Sequence, residues 1–184
     1  MKNQKKLIIL TGPSGVGKGT VVKEILDKEK NFWISISATT REPREGEKDG
    51  ENYYFLNQQK FKEMIEQNLF LEWAQFAGNY YGTPYSYVNE KIKNGFTVIL
   101  EIEVEGARQI KHKFPNSLSI FLLPPDKQEL ERRIRNRGTE KEEAIKKRLS
   151  RANYEILVSS QFDFALTNHN VDETAKRIIK LIKT

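Results

Sequence analysis

The fold is decided by Leu7-Ile8-Ile9-Leu10-Thr11-Gly12-Pro13-Ser14-Gly15-Val16-Gly17-Lys18-Gly19-Thr20, a stretch within a chain of 184 residues. The apolar run at 7–10 predicts a buried strand, and the amphipathic residues after Thr20 predict a helix. Between them lies G-x-x-x-x-G-K, the pattern of a phosphate-binding loop. In such a loop consecutive backbone N–H groups face one anion, the following helix adds its positive end, and Lys18 adds a full charge.

The loop departs from its usual form at one position. The residue after Lys18, where a hydroxyl normally binds Mg²⁺, is Gly19, and the hydroxyl comes one residue later at Thr20. Thr20 is therefore the candidate metal residue, directly or through a water molecule. The motif by itself indicates a nucleoside triphosphate, and it does not separate a small-molecule kinase from a GTPase, a motor or a nucleic-acid ATPase.

Composition restricts the class of protein. The chain has no cysteine, which excludes a disulfide framework, a thiolate metal site and a cysteine nucleophile. Thirty-one basic and 25 acidic residues give a net charge of +6, but the lysines are interleaved with acidic residues, as on solvated helix faces. This mixed charge leads us to expect no nucleic-acid partner. No apolar run has the length of a signal-peptide core or a membrane span, so we expect one cytoplasmic domain that does not bind a membrane.

Strands and helices alternate along the chain, which is typical of an α/β protein whose central parallel sheet is covered by helices. The predicted strands lie at 6–11, 33–37, 97–103, 117–123 and 163–167, and the predicted helices at 18–29, 58–67, 105–113, 126–137, 140–157 and 171–183. Residues 35–90, rich in turns and aromatics, predict an inserted lobe of short antiparallel strands and one helix. The consecutive helices predict a lid at 126–160, which leaves 1–34, 91–125 and 161–184 as the core of a single domain, 1–184.

Two arginines, Arg41 and Arg44, lie three residues apart in a segment that Pro43 keeps extended. Guanidinium groups fit phosphate oxygens, so the pair is a candidate clamp for a second phosphate group. Two solvated surface arginines explain the same fragment equally well.

Glu72 lies within the apolar and aromatic run at 70–74. A buried carboxylate needs a partner, and the adjacent N1–H and N2–H₂ donors of guanine suit it, whereas adenine offers no such pair. The alternative is a polar position on an exposed edge strand. Thr83 precedes Pro84, so it caps a helix, contacts a ligand or does both.

Charged residues mark two later segments. Glu101, Glu103 and Glu105 alternate with apolar residues, which predicts three carboxylates on one strand face that magnesium or arginine would have to compensate. The alternative is a solvated face on an edge strand, which fits poorly after the apolar run at 98–100. Arg133 and Arg137 share one predicted helix, and Arg148 follows on the next. Arginines that a lid brings over the loop would neutralise a transferring phosphoryl group, although ordinary helix surface charge explains them as well.

Five blocks together resemble the guanylate kinase family in their order: 12–20, Ser37-Ala38-Thr39-Thr40-Arg41-Glu42-Pro43-Arg44-Glu45-Gly46-Glu47, Phe70-Leu71-Glu72-Trp73-Ala74, Gly78-Asn79-Tyr80-Tyr81-Gly82-Thr83 and Arg137-Gly138-Thr139-Glu140. The resemblance spans nearly the whole chain, and the middle blocks are more specific than the loop. It implies a three-layer P-loop NTPase core with a GMP-binding lobe and a helical lid. It also implies transfer of the γ-phosphoryl group of ATP to GMP, and to dGMP, with Mg²⁺, by a monomer or homodimer.

By position, the resemblance implies a role for each candidate. The ATP-binding residues would be Gly12, Pro13, Ser14, Gly15, Val16, Gly17, Lys18, Gly19, Thr20 and Asn168. The GMP-binding residues would be Ser37, Arg41, Arg44, Tyr53, Glu72, Tyr81, Thr83 and Glu101, of which Ser37, Glu72 and Thr83 would recognise the guanine. The catalytic residues would be Lys18, Arg41, Arg133, Arg137 and Arg148.

The chain departs from the family at two places. Better-known members have Ser at position 19 and Asp at positions 101 and 103, so the contact that the longer Glu101 makes is left open. The Gly-Lys-Gly-Thr form also resembles adenylate kinases, so the missing hydroxyl does not argue for inactivity. The rival hypotheses are a noncatalytic guanylate-kinase-like module that binds proteins, in which the loop is typically degraded, and a kinase of another nucleotide or phosphorylated sugar, which Glu72 opposes.

Overall fold

The computed structural model describes residues 6–76, 78–136 and 142–184. The block Arg137-Gly138-Thr139-Glu140 lies outside these residues. In chain order the elements are β1 (Leu7–Thr11), α1 (Lys18–Lys28), β2 (Phe32–Ile34), β3 (Ala38–Thr39), β4 (Tyr54–Phe55), α2 (Gln58–Glu66), β5 (Phe70–Phe76), β6 (Asn79–Pro84), α3 (Tyr85–Lys93), β7 (Thr97–Glu101), α4 (Val104–Lys113), β8 (Leu118–Leu123), α5 (Lys127–Arg135), α6 (Glu142–Leu157), a short 3-10 helix (Ser159–Gln161), β9 (Phe164–Thr167) and α7 (Val171–Lys183).

Five strands form a parallel sheet in the order β2-β7-β1-β8-β9. The strand predicted from the opening stretch, β1, lies at its centre and is buried along all five residues. Successive side chains of a strand point to opposite faces. Ile8 and Leu10 accordingly pack with the helices α1 and α7, whereas Leu7 and Ile9 pack with α3 and α4. This arrangement confirms the predicted α/β fold with a central parallel sheet between two helical layers.

A second sheet has four strands in the order β4-β3-β6-β5. Its β3–β6 and β5–β6 pairs are antiparallel, as expected for 35–90, but the β3–β4 pair is parallel. The predicted strand at 33–37 is wrong beyond Ile34, because the chain leaves the parallel sheet there and enters the second sheet at Ala38. Phe61 of α2 packs with Ala38 and Phe70 to form a separate small core.

Two helical features complete the architecture. Helix α3 has no counterpart among the predicted helices, and its Val88 packs with β1 and β7 of the parallel sheet. Helices α5 and α6 pack through Leu130, Ile134, Ile145 and Ala152. In the part of the chain described, none of the helices combines the length and the apolar composition needed to cross a bilayer.

Candidate active site

The candidate residues of the loop, together with Glu101 and Asn168, lie at the carboxyl edge of the parallel sheet. β1 leads into the loop at 12–17, β7 ends at Glu101, and Asn168 follows the end of β9. In open α/β sheets this edge is where ligands bind.

The loop owes its shape to glycine. Gly12 has φ of +145° and Gly17 has φ of +97°, values that favour glycine. A β-carbon on Gly12 would lie 2.5 Å from the carbonyl oxygen of Leu122, so β8 excludes a side chain there. Helix α1 begins at Lys18, directly after Gly17. The first peptide N–H groups of this helix therefore point toward the space in front of the loop.

Side chains from three elements brace the loop. The Lys18 ammonium donates to the carbonyl of Gly12 at 2.6 Å. The Val16 carbonyl accepts from Asn168 Nδ2 at 2.9 Å and from Arg133 Nη1 at 3.1 Å. Asn168 is buried against the loop, and a β-carbon on Gly17 would lie 2.8 Å from its amide nitrogen. The loop, β9 and α5 are thus held in one arrangement.

The arginines predicted for the lid form different hydrogen bonds. Arg133 Nε donates to Glu129 at 2.7 Å while its Nη1 reaches the loop. Arg148 Nη2 donates to Ser14 Oγ at 2.6 Å, which joins α6 to the loop. Arg137 lies outside the described residues.

On the four-stranded sheet, Arg41 is held by a carboxylate. Its Nη2 lies 2.9 Å from both carboxylate oxygens of Glu47, and its guanidinium stacks 5.5 Å above the Tyr53 ring. The backbone N–H of Arg44 donates to the same Glu47 carboxylate at 2.8 Å, while the Arg44 side chain is exposed. Sequence reasoning did not identify Glu47 as the group that organises both arginines.

Two further candidates flank this arginine pair. Tyr81 lies on β6, and its ring meets that of Tyr53 edge to face at 6.2 Å. Ser37 comes just before β3, and its carbonyl accepts from the backbone N–H of Tyr54. Ser37 and both tyrosines thus belong to the same four-stranded sheet region as Arg41.

Glu72 is a buried carboxylate with a hydroxyl partner. It is 4% exposed, and Thr83 Oγ1, which is fully buried, donates to Glu72 Oε1 at 2.6 Å. Burial raises the pKa of Glu72 to about 7, against the lowering effect of its hydrogen bonds to Thr83. The exposed-strand alternative for Glu72 is therefore wrong. The helix-cap role of Thr83 is also wrong, because Pro84 occupies the cap position of α3.

Helix α4 encloses Glu72 from the other side. A β-carbon on Gly106 would collide with the Glu72 carboxylate, whose Cδ would lie 3.0 Å away. One and two turns further along, Gln109 exchanges hydrogen bonds with the backbone of Trp73, and Lys113 donates to the Leu71 carbonyl at 2.7 Å. None of these three residues was predicted. A glycine inside a helical pattern was the available signal, since glycine there costs about 1 kcal/mol without a packing reason.

The carboxylates after β7 do not share one strand face, and that prediction is wrong. β7 ends at Glu101, Glu103 stands at the cap position of α4, and Glu105 lies in the first turn of α4. Glu103 Oε2 lies 3.7 Å from Arg151, which also donates to the buried Glu155 at 2.8 Å. This link between α6 and the start of α4 was not predicted.

Glu101 stands between the loop and the four-stranded sheet. A β-carbon on Gly19 would lie 3.6 Å and 3.9 Å from its two carboxylate oxygens. Burial, and then the negative charge of Glu101, raise the pKa of the Tyr53 hydroxyl. Thr20, the predicted metal residue, is exposed on α1.

The donor set at this edge fits Mg²⁺ only in a nucleotide complex. No group of three or more His, Cys, Asp or Glu side chains in the described ranges could hold a metal ion. Mg²⁺ at nucleotide sites needs one or two carboxylates, because phosphate oxygens and water supply its other ligands. The open space at Gly19 beside the Glu101 carboxylate matches that requirement.

Comparison with known proteins gives the same picture along the whole chain. A family model described as guanylate kinase matches residues 4–184. A guanylate kinase of Prochlorococcus marinus (strain MIT 9312) is 86% identical over 184 residues, the full length of both chains. One of Synechocystis sp. is 52% identical over 177 residues, 96% of this chain and 93% of that one. The crystal structure of guanylate kinase from Anaplasma phagocytophilum has a TM-score of 0.82 at 29% identity, and the match covers 100% of this chain and 87% of that chain.

Proposed function

The chain belongs to the guanylate kinase family, and we propose that its loop at 12–20 holds ATP while the four-stranded sheet and α4 hold GMP. The enzyme transfers the γ-phosphoryl group of ATP to GMP, which gives ADP and GDP. The noncatalytic alternative is not favoured, since Gly12, Gly17 and Lys18 of the loop are all present. One observation carries the assignment of the GMP site: the buried carboxylate of Glu72, bonded to Thr83 and enclosed by Gly106.

We assign the guanine to Glu72, Thr83 and Ser37. An ionised Glu72 accepts hydrogen bonds from the adjacent N1–H and N2–H₂ of guanine, and no other common base offers this pair of donors. Because the proposed contacts are to the base and the phosphate, dGMP is a second acceptor.

We assign the GMP phosphate to Arg41, Arg44, Tyr53 and Tyr81. Glu47 holds the Arg41 guanidinium and the backbone of Arg44 in place, so the Arg41 side chain and the chain at Arg44 are positioned before the phosphate binds. Charge-assisted bonds of this kind are about twice as strong as neutral ones.

We assign the donor side to the loop, with Asn168 beside it. Backbone amides and Lys18 hold the phosphates, and Arg133 and Arg148 reach the loop from α5 and α6, as Arg137 is expected to do. Phosphoryl transfer then depends on positioning and on charge neutralisation, with no covalent protein intermediate.

Glu101 and Thr20 are the protein groups available to hold Mg²⁺ with ATP. The ion, when bound, neutralises and orients the phosphates of the donor. The cytoplasmic location and the choice between monomer and homodimer stay predictions.

An acceptor panel tests the assignment. ADP release is measured with GMP, dGMP, AMP, UMP and CMP for the wild type and for Glu72→Gln. We expect activity with GMP and dGMP alone, and a loss of about 10- to 100-fold in kcat/KM for GMP in the variant, because an amide NH₂ confronts a guanine donor. Comparable turnover of AMP, or unchanged kinetics in Glu72→Gln, would overturn the guanine site. A folded sample without ATP consumption on any acceptor would favour the protein-binding module.

A further inference from the structure

Helix α6 carries an arginine that contacts two acids on different elements. Arg151 Nε donates to Glu155 Oε1 at 2.8 Å, and Arg151 Nη2 lies 3.7 Å from Glu103 Oε2. Glu155 belongs to α6 itself, whereas Glu103 stands at the cap position of α4. Arg151 is not among the residues that the family resemblance assigns to ATP or GMP. It joins a helix of the predicted lid to the helix that encloses Glu72.

Glu155 fixes the position of the Arg151 side chain. Glu155 is 3% exposed, and burial raises the pKa of its carboxyl against the lowering effect of the hydrogen bond from Arg151. The negative charge of Glu103 also raises this pKa, and the positive charge of Lys18 lowers it. A buried acid that loses its cation is strongly destabilising. The guanidinium of Arg151 is therefore anchored between the loop and the start of α4.

The charge of Glu103 acts on Glu72. Glu103 caps α4, and Gly106, less than one turn further on, lies against the Glu72 carboxylate. Burial is the main cause of the raised pKa of Glu72, Thr83 and Lys113 lower it, and the charge of Glu103 raises it. A cation beside Glu103 therefore favours the ionised form of Glu72.

We propose that Arg151 is a positioning residue for the acceptor site, which holds Glu103 at the start of α4 and offsets its charge beside Glu72. The proposal rests on the assignment of the guanine to Glu72. Guanine presents N–H donors, so it binds the ionised carboxylate and competes with a proton for it. Arg148 on the same helix donates to Ser14 of the loop, so α6 contacts the donor side as well.

The exposure of the two partners sets the size of the effect. The side chains of Arg151 and Glu103 are 37% and 44% exposed, and solvent weakens such a pair. A direct opposite charge changes a pKa by about 1–3. Since Arg151 acts on Glu72 through Glu103, we expect its removal to move the titration midpoint of Glu72 by about half a pH unit.

Carbon-13 NMR of the nucleotide-free protein follows the carboxyl titration of Glu72, and Glu72→Gln assigns its resonance. We expect Arg151→Met to raise the midpoint by about half a pH unit, and Arg151→Lys to restore part of the difference. Lys147→Met, which removes an exposed charge from the same helix, should leave the midpoint unchanged. In a Glu103→Gln background Arg151→Met should move the midpoint far less, because the charge that it offsets is gone.

A second background guards against an unfolded variant. Loss of Arg151 leaves the buried Glu155 unpaired, so the comparison is repeated with Glu155→Gln, whose amide oxygen accepts from Arg151 and carries no charge. Thermal unfolding verifies that each variant is folded. An unmoved midpoint in Arg151→Met in both backgrounds, or an equal movement with and without Glu103→Gln, would overturn the proposal.

GMP affinity separates this proposal from the proposed function. By isothermal titration calorimetry, Arg151→Met should bind GMP about 2- to 3-fold more weakly at pH 6.5 and nearly equally at pH 8, a pH dependence that a merely structural role would not produce. The GMP phosphate titrates near pH 6, about as other phosphate esters do, but in every variant alike. A moved Glu72 midpoint with unchanged GMP affinity would refute the guanine site and leave the action of Arg151 on Glu72 standing.

Discussion

The phosphate-binding loop and the Glu72 pocket differ in where their parts come from. The loop consists of consecutive residues, 12–20, and glycines with positive φ give it its shape. The pocket joins Glu72 of β5, Thr83 of β6 and Gly106 of α4, which meet only when the four-stranded sheet has formed and helix α4 has docked beside it. A local site can be recognised in a sequence as a motif. An assembled site can be recognised only through the chemistry of its single residues.

The two regions also differ in how deeply their charged groups are buried. The loop uses backbone dipoles and the half-buried Lys18, and it holds no buried carboxylate. The pocket buries a carboxylate almost completely, so its protonation is coupled to folding. We therefore expect a change in the loop to alter catalysis with little effect on stability, and changes in the pocket to alter both.

Lys18→Ala should give the largest effect. We expect kcat to fall about 10²- to 10³-fold, as on removal of one preorganised group from a charged transition state. The unfolding temperature of the variant should equal that of the wild type, because the ammonium group donates to carbonyls of the loop itself. Steady-state kinetics and thermal unfolding measure the two effects, and Lys23→Ala, an exposed lysine on the same helix, is the control. A variant within ten-fold of the wild type would exclude the loop as the donor site.

Glu72→Gln should alter the pH dependence of stability. Burial raises the folded-state pKa of Glu72 from 4.5 to about 7, so the folded protein binds more protons than the unfolded chain between these values. This contribution to stability is complete below pH 4.5 and is lost as the pH rises through 7. The free energy of unfolding of the variant, relative to that of the wild type, should be about 2–3 kcal/mol higher at pH 8 than at pH 5. Urea unfolding at both pH values measures this gain, and equal differences would contradict the raised pKa.

Gly106→Ala tests whether α4 positions the carboxylate. The added methyl group would take the place of Glu72 Oε2, so we expect KM for GMP to rise about ten-fold while KM for ATP is unchanged. The protein should still fold at reduced stability, because the preference of a helix for alanine over glycine, about 1 kcal/mol, offsets only part of the cost of displacing the buried carboxylate. Glu72→Asp in the same chain shortens the acid and should recover part of the GMP affinity. A rise in both KM values would indicate a general disturbance instead.

Gln109→Ala should give the smallest effect. Loss of its two hydrogen bonds to the Trp73 backbone should lower the free energy of unfolding by about 1 kcal/mol and change kcat/KM for GMP less than three-fold. Hydrogen exchange at the Trp73 amide should become faster. Arg108→Ala, which alters the adjacent side chain on α4, should leave that amide protected, and equal exchange in both variants would contradict the role of Gln109.

The sequence predicted what depends on neighbours along the chain. Apolar pattern was sufficient for β1 and β8, whose apolar runs are continuous, and for α7, whose apolar residues recur at helical spacing, and the motif was sufficient for the loop. The strand prediction failed at residues 35–37, because nothing in the local sequence marks the point where the chain passes from one sheet to the other. Gly106 and Gln109 were missed for the same reason: their partners on β5 are set by the packing of α4, which no spacing encodes. The binding roles of Glu72, Arg41 and the lid arginines stay predictions until the variants are measured.

The contact between Gln109 and Trp73 also concerns the protein before it is fully folded. β5 is an outer strand of its sheet, and an uncovered strand of seven residues invites pairing with another polypeptide. The Gln109 amide occupies both the N–H and the C=O of Trp73, as a neighbouring strand would, and Lys113 occupies the Leu71 carbonyl. A chain in which α4 has not yet docked therefore exposes a template for aggregation. The helix that encloses Glu72 also covers the outer strand through which such pairing would occur.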